Sequence, residues 1–76
     1  MSNDYKEKQF LDALAKRIAA LRKAKGFTQE RLAADADIDR VALANIETGK
    51  RRPTVTTVHR IAIALGVRVE EIFKSL

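Results

Sequence analysis

Apolar residues recur at every third or fourth position along much of this chain, which is the spacing of an amphipathic helix. The first such run contains Phe10, Leu14, Ile18 and Leu21. Asp4 followed by Glu7 forms a capping pair that would open this helix, and Gly26 would close it. No stretch alternates apolar and polar residues in the way that a half-buried strand does. The pattern therefore predicts an all-α fold.

Beyond Gly26, residues that favour helix ends divide the chain into shorter segments. Thr28, Asp39 and Thr54 are good N-cap residues, and Gly49 and Gly66 suit the position just after a helix. They predict four further helices, at residues 29–36, 40–48, 55–65 and 69–76.

The helices predicted at 29–36 and 40–48 are joined by the sequence "DADID" and have the dimensions of a helix-turn-helix. Asp37 falls where the chain must turn back through a left-handed conformation, which Asp tolerates better than most residues. The alternative is a cation site formed by Asp35, Asp37 and Asp39. Their spacing lacks the further ligands and the glycine of a calcium loop, so turn and capping roles are favoured.

Length and charge narrow the possible partners. The 76 residues fit one small domain, 1–76, without cysteines for a disulfide or a thiolate metal site. A net charge of +5, from 15 Lys and Arg against 10 Asp and Glu, favours a polyanionic partner. No acid occurs between residues 48 and 69, where the cations are Lys50, Arg51, Arg52, Arg60 and Arg68. A solvated helix face is the alternative explanation of such a run.

The composition argues against a membrane protein and against an enzyme. No apolar run approaches the ~20 residues of a membrane span. The start "MSNDYKEKQF" is polar and acidic, unlike a signal peptide, so a cytoplasmic protein is expected. Neither a metal nor a cofactor is expected. His59 has no obvious catalytic partner, and the adjacent Glu70 and Glu71 suit the first turn of a helix.

Glu47 immediately precedes the cationic run, where a free carboxylate would weaken anion binding. It lies four residues after Leu43, at the edge of the face that Leu43 and Ile46 turn toward the core. Burying a carboxylate is costly unless a cation accompanies it. Arg22 of the first helix, next to Leu21, can supply a bidentate guanidinium. The alternative is that Glu47 is exposed.

The segment "FTQERLAADADIDRVALANIETGKRRPTVTTVHRIAIALGV" resembles the Cro/CI or XRE-type regulators, the helix-turn-helix family of the lambdoid phage repressors. The matching features are Thr28-Gln29, Leu32-Ala33, Ile38, Ile46-Glu47, Gly49, Pro53 and Leu65-Gly66-Val67. The resemblance covers residues 14–73 and implies a five-helix lambda-repressor-like domain, with its helix-turn-helix at 28–48. It also implies a buried ion pair between Arg22 and Glu47.

Within that family, "ADIDRVALANIETGKRRPT" is most similar to the controller proteins of restriction-modification systems. Val41 and Ala42 stand where Thr and Tyr would be expected. The resemblance implies that the third helix enters the major groove of double-stranded DNA, with base contacts from Arg40, Val41, Ala44 and Asn45. Phosphate contacts are implied for Gln29, Lys50, Arg51, Arg52 and Thr54. A plain phosphate contact is the alternative role of Arg40.

A homodimer is expected, because one recognition helix reads only a few base pairs and two would lie ~34 Å apart on a pseudo-palindromic operator. Its interface would fall within residues 59–76 and use Ile63, Val69, Ile72, Phe73 and Leu76. The alternatives are that Ile72 and Phe73 complete the core of one chain, or that the interface surrounds Tyr5 and Phe10.

The expected function is transcriptional regulation at the bacterial nucleoid, with RNA polymerase as a further partner if the protein is an activator. An antitoxin, a prophage repressor of the same fold, and a protein-binding adaptor built on it are the alternatives.

Overall fold

The structure consists of five α-helices in the order that the sequence predicts. In a computed structural model, which describes residues 3–76, they are α1 (Asn3–Ala24), α2 (Gln29–Ala36), α3 (Arg40–Glu47), α4 (Val55–Leu65) and α5 (Val69–Phe73). No strand occurs among these residues, and the all-α fold class is confirmed. The first two residues of the domain predicted at 1–76 lie outside the described residues.

The side chains predicted as N-caps do cap the N-termini of α2, α3 and α4. The Thr28 hydroxyl accepts a hydrogen bond from the third N–H group of α2 at 3.0 Å. A carboxylate oxygen of Asp39 accepts from the second and third N–H groups of α3, at 3.1 and 3.3 Å. Thr54 accepts from the third N–H group of α4 at 3.1 Å. These bonds satisfy donors that a helix leaves without partners, and they fix where each helix begins.

The turn between α2 and α3 reverses the chain at Asp37, which adopts the left-handed conformation with φ 56°. The N–H of Asp37 donates to the carbonyl of Ala34 at 3.2 Å, and that of Ile38 donates to the carbonyl of Ala33 at 2.9 Å. Ile38 packs against the core beside this turn. The turn is therefore held at both ends, and α3 leaves it in a defined direction.

The core draws apolar side chains from all five helices, including Leu14, Ile18, Leu32, Leu43, Ile61 and Ile72. The second helix packs against α3 and α4, while α1 packs against α3 and α5. Phe10 and Phe73 stack with their ring centroids 6.4 Å apart, and Nε of Arg17 donates to the carbonyl of Glu71 at 2.9 Å. The last two contacts join α1 to α5.

Three local predictions are corrected at helix ends. The first helix already includes Asn3, so Asp4 lies in its first turn rather than at its cap. The fifth helix ends at Phe73, because residues 74–76 are all exposed and have no core to cover. The helical spacing of Val55, Val58, Ile61, Ala62 and Leu65 predicts that all five lie on the apolar face of α4, but Val55, the first residue of this helix, is exposed.

The first turn of α5 carries acids, as expected for Glu70 and Glu71. Arg68 precedes this helix and makes no capping hydrogen bond with its side chain. The pKa of Glu70 is lowered from its usual value by a hydrogen bond from the backbone N–H of Glu70 itself and by the Arg68 guanidinium, which lies 2.9 Å from the carboxylate. Glu70 thus places a negative charge in the first turn of α5, where the helix dipole favours it.

Candidate nucleic-acid interface

One side of α3 faces the core, and the other side faces solvent. The inward side carries the buried residues Leu43, Ile46 and Glu47. The outward side carries the four residues for which base contacts are predicted, Arg40, Val41, Ala44 and Asn45. Arg40 and Val41 are exposed, Val41 by 61%, whereas Ala44 and Asn45 are half-buried. A single uncovered helix fits the major groove of DNA, which is about 12 Å wide.

The negative charge of Glu47 is paired inside the protein. Arg22 donates from Nε to Oε2 of Glu47 at 2.7 Å and from Nη2 to Oε1 at 3.1 Å, which makes the pair bidentate. The two side chains are only 11% and 4% exposed. A bidentate pair restricts orientation as well as distance, so it fixes the angle of α3 against α1. The carboxylate is thereby withheld from the cations that follow it in the sequence.

Two further hydrogen bonds complete the surroundings of this pair. Nε2 of Gln29 donates to Oε1 of Glu47 at 3.0 Å, and Nη1 of Arg22 donates to the carbonyl of Phe27 at 2.8 Å. Within residues 3–76, no buried side-chain nitrogen or oxygen lacks a hydrogen-bond partner. A buried ion pair is tolerated when its remaining donors and acceptors are satisfied. This network therefore ties α1, α2 and α3 together behind the outward side of α3.

The cationic loop, which comprises Lys50, Arg51 and Arg52, is folded back onto the end of α3. The carbonyl of Asn45 accepts hydrogen bonds from the N–H groups of Lys50 at 2.9 Å and Arg51 at 3.2 Å. Gly49 turns the chain with φ 77°, and a Cβ at this position would lie 2.8 Å from a carboxylate oxygen of α1. The positive φ favours glycine at this position. The backbone of the cationic loop is therefore fixed next to Asn45.

The three cations of this loop differ in their partners. Nη1 of Arg52 lies 2.9 Å from Oε1 of Glu7 in α1. Lys50 and Arg51 are exposed and form no ion pair in the part of the chain that the structure describes. An anion can reach Lys50 and Arg51 directly, whereas it must replace a carboxylate at Arg52.

The two other residues with predicted phosphate contacts lie at helix N-termini. Gln29 is the first residue of α2, and Thr54 caps α4. The N–H groups of a first turn lack intrahelical acceptors and attract anions. One amide hydrogen of Gln29 already serves Glu47, which leaves its second amide hydrogen and its backbone N–H for phosphate.

The residues predicted to form a dimer interface are not equally available. Ile63 is 65% exposed, and Phe73 and Leu76 are also exposed, while Val69 is half-buried against the core. Ile72 has no exposed surface, because it points from α5 into the core near α1 and α4. Its assignment to the interface is therefore corrected to a core residue of the single chain.

His59, the one histidine in the sequence, is exposed on α4. Among residues 3–76, no cluster of three or more His, Asp or Glu side chains is arranged to hold a metal ion. The same residues form no helix that has both the length and the apolar character to cross a bilayer.

Comparison with known proteins identifies the family. The model of the helix-turn-helix family matches residues 18–72, well over half of the chain. This chain belongs to the helix-turn-helix family. The resemblance seen in its sequence is confirmed, and the match includes all of α2, α3 and α4 of this helix-turn-helix protein.

Three curated relatives resemble the helix-turn-helix chain. It is 45% identical over 49 residues to the uncharacterized HTH-type transcriptional regulator y4dJ of Sinorhizobium fredii, covering 64% of each chain. It is 39% identical over 59 residues to the immunity repressor protein of Bacillus phage phi105, covering 78% of this chain and 41% of the repressor. It is 34% identical over 61 residues to control protein C.MunI of a Mycoplasma species, covering 79% and 82%. The chain thus spans less than two thirds of the first two relatives.

Solved structures of restriction-modification controller proteins have the same arrangement of helices. The controller protein C.AhdI from Aeromonas hydrophila matches with a TM-score of 0.81 and 33% identity, over 83% of this chain and 96% of that one. The controller protein C.Esp1396I, bound to a 25 base pair operator site, matches with a TM-score of 0.79 and 31% identity, over 86% of each chain.

Three side-chain contacts of this helix-turn-helix protein were missed by reasoning from its sequence. They are Gln29 with Glu47, Glu30 with Arg40, and Glu7 with Arg52. Each contact joins two different structural elements. No local spacing rule reveals such pairs, because the relevant distance is set by how the elements pack.

Proposed function

We propose that this chain is a dimeric, sequence-specific DNA-binding transcriptional regulator that reads a pseudo-palindromic operator through α3. One observation carries the proposal: the uncovered side of α3 lies beside the cationic loop, while Glu47 between them in sequence is paired internally with Arg22. A cationic surface without a competing acid attracts a polyanion, and the net charge of +5 has the same effect.

The outward side of α3 supplies the proposed base contacts. Arg40 offers paired donors to guanine O6 and N7, a contact that contributes about 1–3 kcal/mol of discrimination. Val41 offers an apolar contact to a thymine methyl group. Asn45 is placed to bond adenine or a phosphate, and the small side chain of Ala44 lets the helix approach the bases closely. The assignment is supported by the exposure of Arg40 and Val41 and by the partial exposure of Ala44 and Asn45 on the same side of α3.

The proposed phosphate contacts surround this surface. They come from Gln29, Lys50, Arg51, Arg52 and Thr54. Contacts of this kind hold the protein on DNA without reading its sequence, and each one makes binding weaker as salt rises. The free charges of Lys50 and Arg51 and the helix N-termini at Gln29 and Thr54 support them.

A two-fold dimer through α4 and α5 is proposed to present two copies of α3. Exposed apolar surface is provided by Ile63, Phe73 and Leu76. Val69, the first residue of α5, lies between Ile63 and Phe73 in the sequence. A domain of this length buries only about 60% of the surface of its unfolded chain, so contact with a second copy adds stability.

We favour a controller protein of a restriction-modification system, because the chain resembles C.MunI and the structure of C.AhdI over most of their lengths. A prophage repressor is the second candidate, favoured by the similarity to the phage phi105 immunity repressor. Either regulator would act at the nucleoid as a binding protein rather than an enzyme. An activator would also contact RNA polymerase there.

Selection of fragments from a random DNA duplex library, followed by sequencing, tests the proposal. The enriched fragments should contain two inverted half-sites with their centres one helical turn, about 10 base pairs, apart. A variant with Arg40→Ala and Asn45→Ala should lose this enrichment while keeping its helical content. Absence of any sequence enrichment with the parent protein would contradict the proposal and favour a protein-binding adaptor.

A further inference from the structure

An acid of α2 contacts the predicted guanine reader of α3. Glu30 is the second residue of α2, and Arg40 is the first residue of α3. Nε of Arg40 donates a hydrogen bond to Oε1 of Glu30 at 3.2 Å. Both side chains are mostly exposed, and an ion pair in water contributes little to the stability of a fold. The consequence of this contact therefore lies in what it does to the side chain of Arg40.

The contact occupies one part of the Arg40 guanidinium and leaves another part open. A guanidinium carries five N–H donors in a rigid plane, with pairs of parallel N–H groups along its edges. Glu30 engages Nε, while Nη1 and Nη2 donate no hydrogen bond to any residue from 3 to 76. The end of the group, where Nη1 and Nη2 lie side by side, is thus the edge that remains available to DNA.

We propose that Glu30 is a specificity-determining residue that positions Arg40 for guanine, an inference that rests on the proposed function. Guanine O6 and N7 require two parallel N–H donors, whereas a phosphate oxygen accepts a single donor from many directions. By holding Nε, Glu30 directs the paired Nη donors outward and reduces the number of orientations that Arg40 samples. Its negative charge also repels the DNA backbone, which weakens binding to all sequences.

Two variants separate the hydrogen bond from the charge. Glu30→Gln keeps a carbonyl oxygen that can accept from Nε of Arg40 but removes the charge. Glu30→Ala removes both. Asp35→Ala is the matched control, because Asp35 is an exposed acid of the same helix whose partner is Arg31, 3.6 Å away. The exposed position of Glu30 predicts unchanged melting curves, which circular dichroism will check.

Binding is measured on the selected operator and on duplexes in which the guanine opposite Arg40 is replaced. This guanine is identified as the operator position at which the Arg40→Ala variant no longer prefers guanine over other bases. Glu30→Ala should reduce the preference for guanine by about three- to tenfold, a part of what a bidentate arginine contributes. Glu30→Gln should keep most of the preference while binding every sequence more tightly, and Asp35→Ala should keep all of it. In the Arg40→Ala background, Glu30→Ala should not alter base preference further.

The possible outcomes separate this inference from the proposed function. If Glu30→Ala binds all duplexes more tightly with its guanine preference intact, Glu30 only repels DNA and the inference is overturned. Equal loss of preference in Glu30→Gln and Glu30→Ala would also overturn positioning by a hydrogen bond. In both cases the selectivity of the parent protein and its loss in Arg40→Ala leave the proposed function standing. A parent protein without any base preference would overturn both.

Discussion

Among the arginine–glutamate pairs that join α1 to other segments, two have nearly equal lengths. Arg22 and Glu47 approach to 2.7 Å with side chains that are 11% and 4% exposed. Arg52 and Glu7 approach to 2.9 Å, but their side chains are 71% and 47% exposed. Breaking a buried pair costs about 3–5 kcal/mol, whereas an exposed pair contributes about 0.2–1 kcal/mol. Burial rather than distance therefore decides which of the two pairs is structural.

The difference also gives the two pairs different consequences for DNA binding. Arg22 is enclosed and its donors are satisfied by Glu47 and Phe27, so it stays paired whatever approaches the surface. Arg52 is open to solvent, and a phosphate can replace Glu7 as its partner. We therefore expect the same two residue types to orient α3 in one place and to adjust the charge available to DNA in the other.

The largest effect is expected from breaking the buried pair. Glu47→Ala leaves Arg22 charged and enclosed and removes the acceptor of Gln29, so the free energy of unfolding should fall by about 3–5 kcal/mol. Urea denaturation followed by circular dichroism measures this loss. Glu7→Ala, which breaks the exposed pair, is the matched control and should change stability by less than about 1 kcal/mol. Equal losses in the two variants would contradict the role assigned to burial.

A second test places an acid without a cation in the proposed dimer interface. Ile63→Asp should convert the dimer to a folded monomer, because Ile63 is exposed in the single chain and is not needed for its core. Without the second copy, operator affinity should fall about 100-fold or more. Analytical ultracentrifugation measures the change in assembly.

Val55→Asp is the control for Ile63→Asp, since Val55 is also an exposed apolar residue of α4 and lies outside the proposed interface. The Val55 variant should sediment as the parent does. If the Ile63 variant also remains dimeric, the interface lies elsewhere, and the surface around Tyr5 and Phe10 becomes the first alternative.

The starts of α2, α3 and α4 could be predicted because the capping interactions are local. Thr28, Asp39 and Thr54 act on N–H groups within three residues of themselves, so the sequence alone contains both partners. Asp37 is similar, because a left-handed turn depends on the residue that adopts it. Local chemistry of this kind fixes where elements begin and end.

Contacts between elements were harder to predict. The partner of Glu47 could be named from a helical face and a family resemblance, but Gln29 as a further donor could not. Ile72 was placed on a surface because its spacing suits both a core and an interface, and only the packing of α5 distinguishes them. The contact of Glu30 with Arg40 could not be predicted for the same reason, because it depends on the angle between α2 and α3.

A third test compares Arg40, which is paired with Glu30, with Arg51, which forms no ion pair within residues 3–76. Arg40→Ala should weaken operator binding by about 1–3 kcal/mol and relax one base position per half-site. Arg51→Ala should weaken binding to all sequences similarly and reduce the slope of log affinity against log salt by about one unit. Titrations with operator and random duplexes at several salt concentrations measure both effects. Equal losses on the two duplexes for Arg40→Ala would assign Arg40 to phosphate.

The smallest effect is expected from releasing Arg52 without disturbing the fold. Glu7→Gln removes a charge that competes with phosphate, and because an exposed pair contributes about 0.2–1 kcal/mol, DNA affinity should rise by about 1.5- to 5-fold. The salt slope should steepen by at most about one unit, since Arg52 then meets phosphate without giving up a carboxylate.

Glu70→Gln is the matched control, because its pair with Arg68 is also exposed and 2.9 Å long but lies at α5. Glu7→Gln should gain more affinity than Glu70→Gln, and this difference should disappear when Arg52 is also replaced by Gln. That result would show that DNA phosphate replaces Glu7 as the partner of Arg52. Equal gains in the two variants would show that Glu7 affects DNA affinity only through the net charge of the protein.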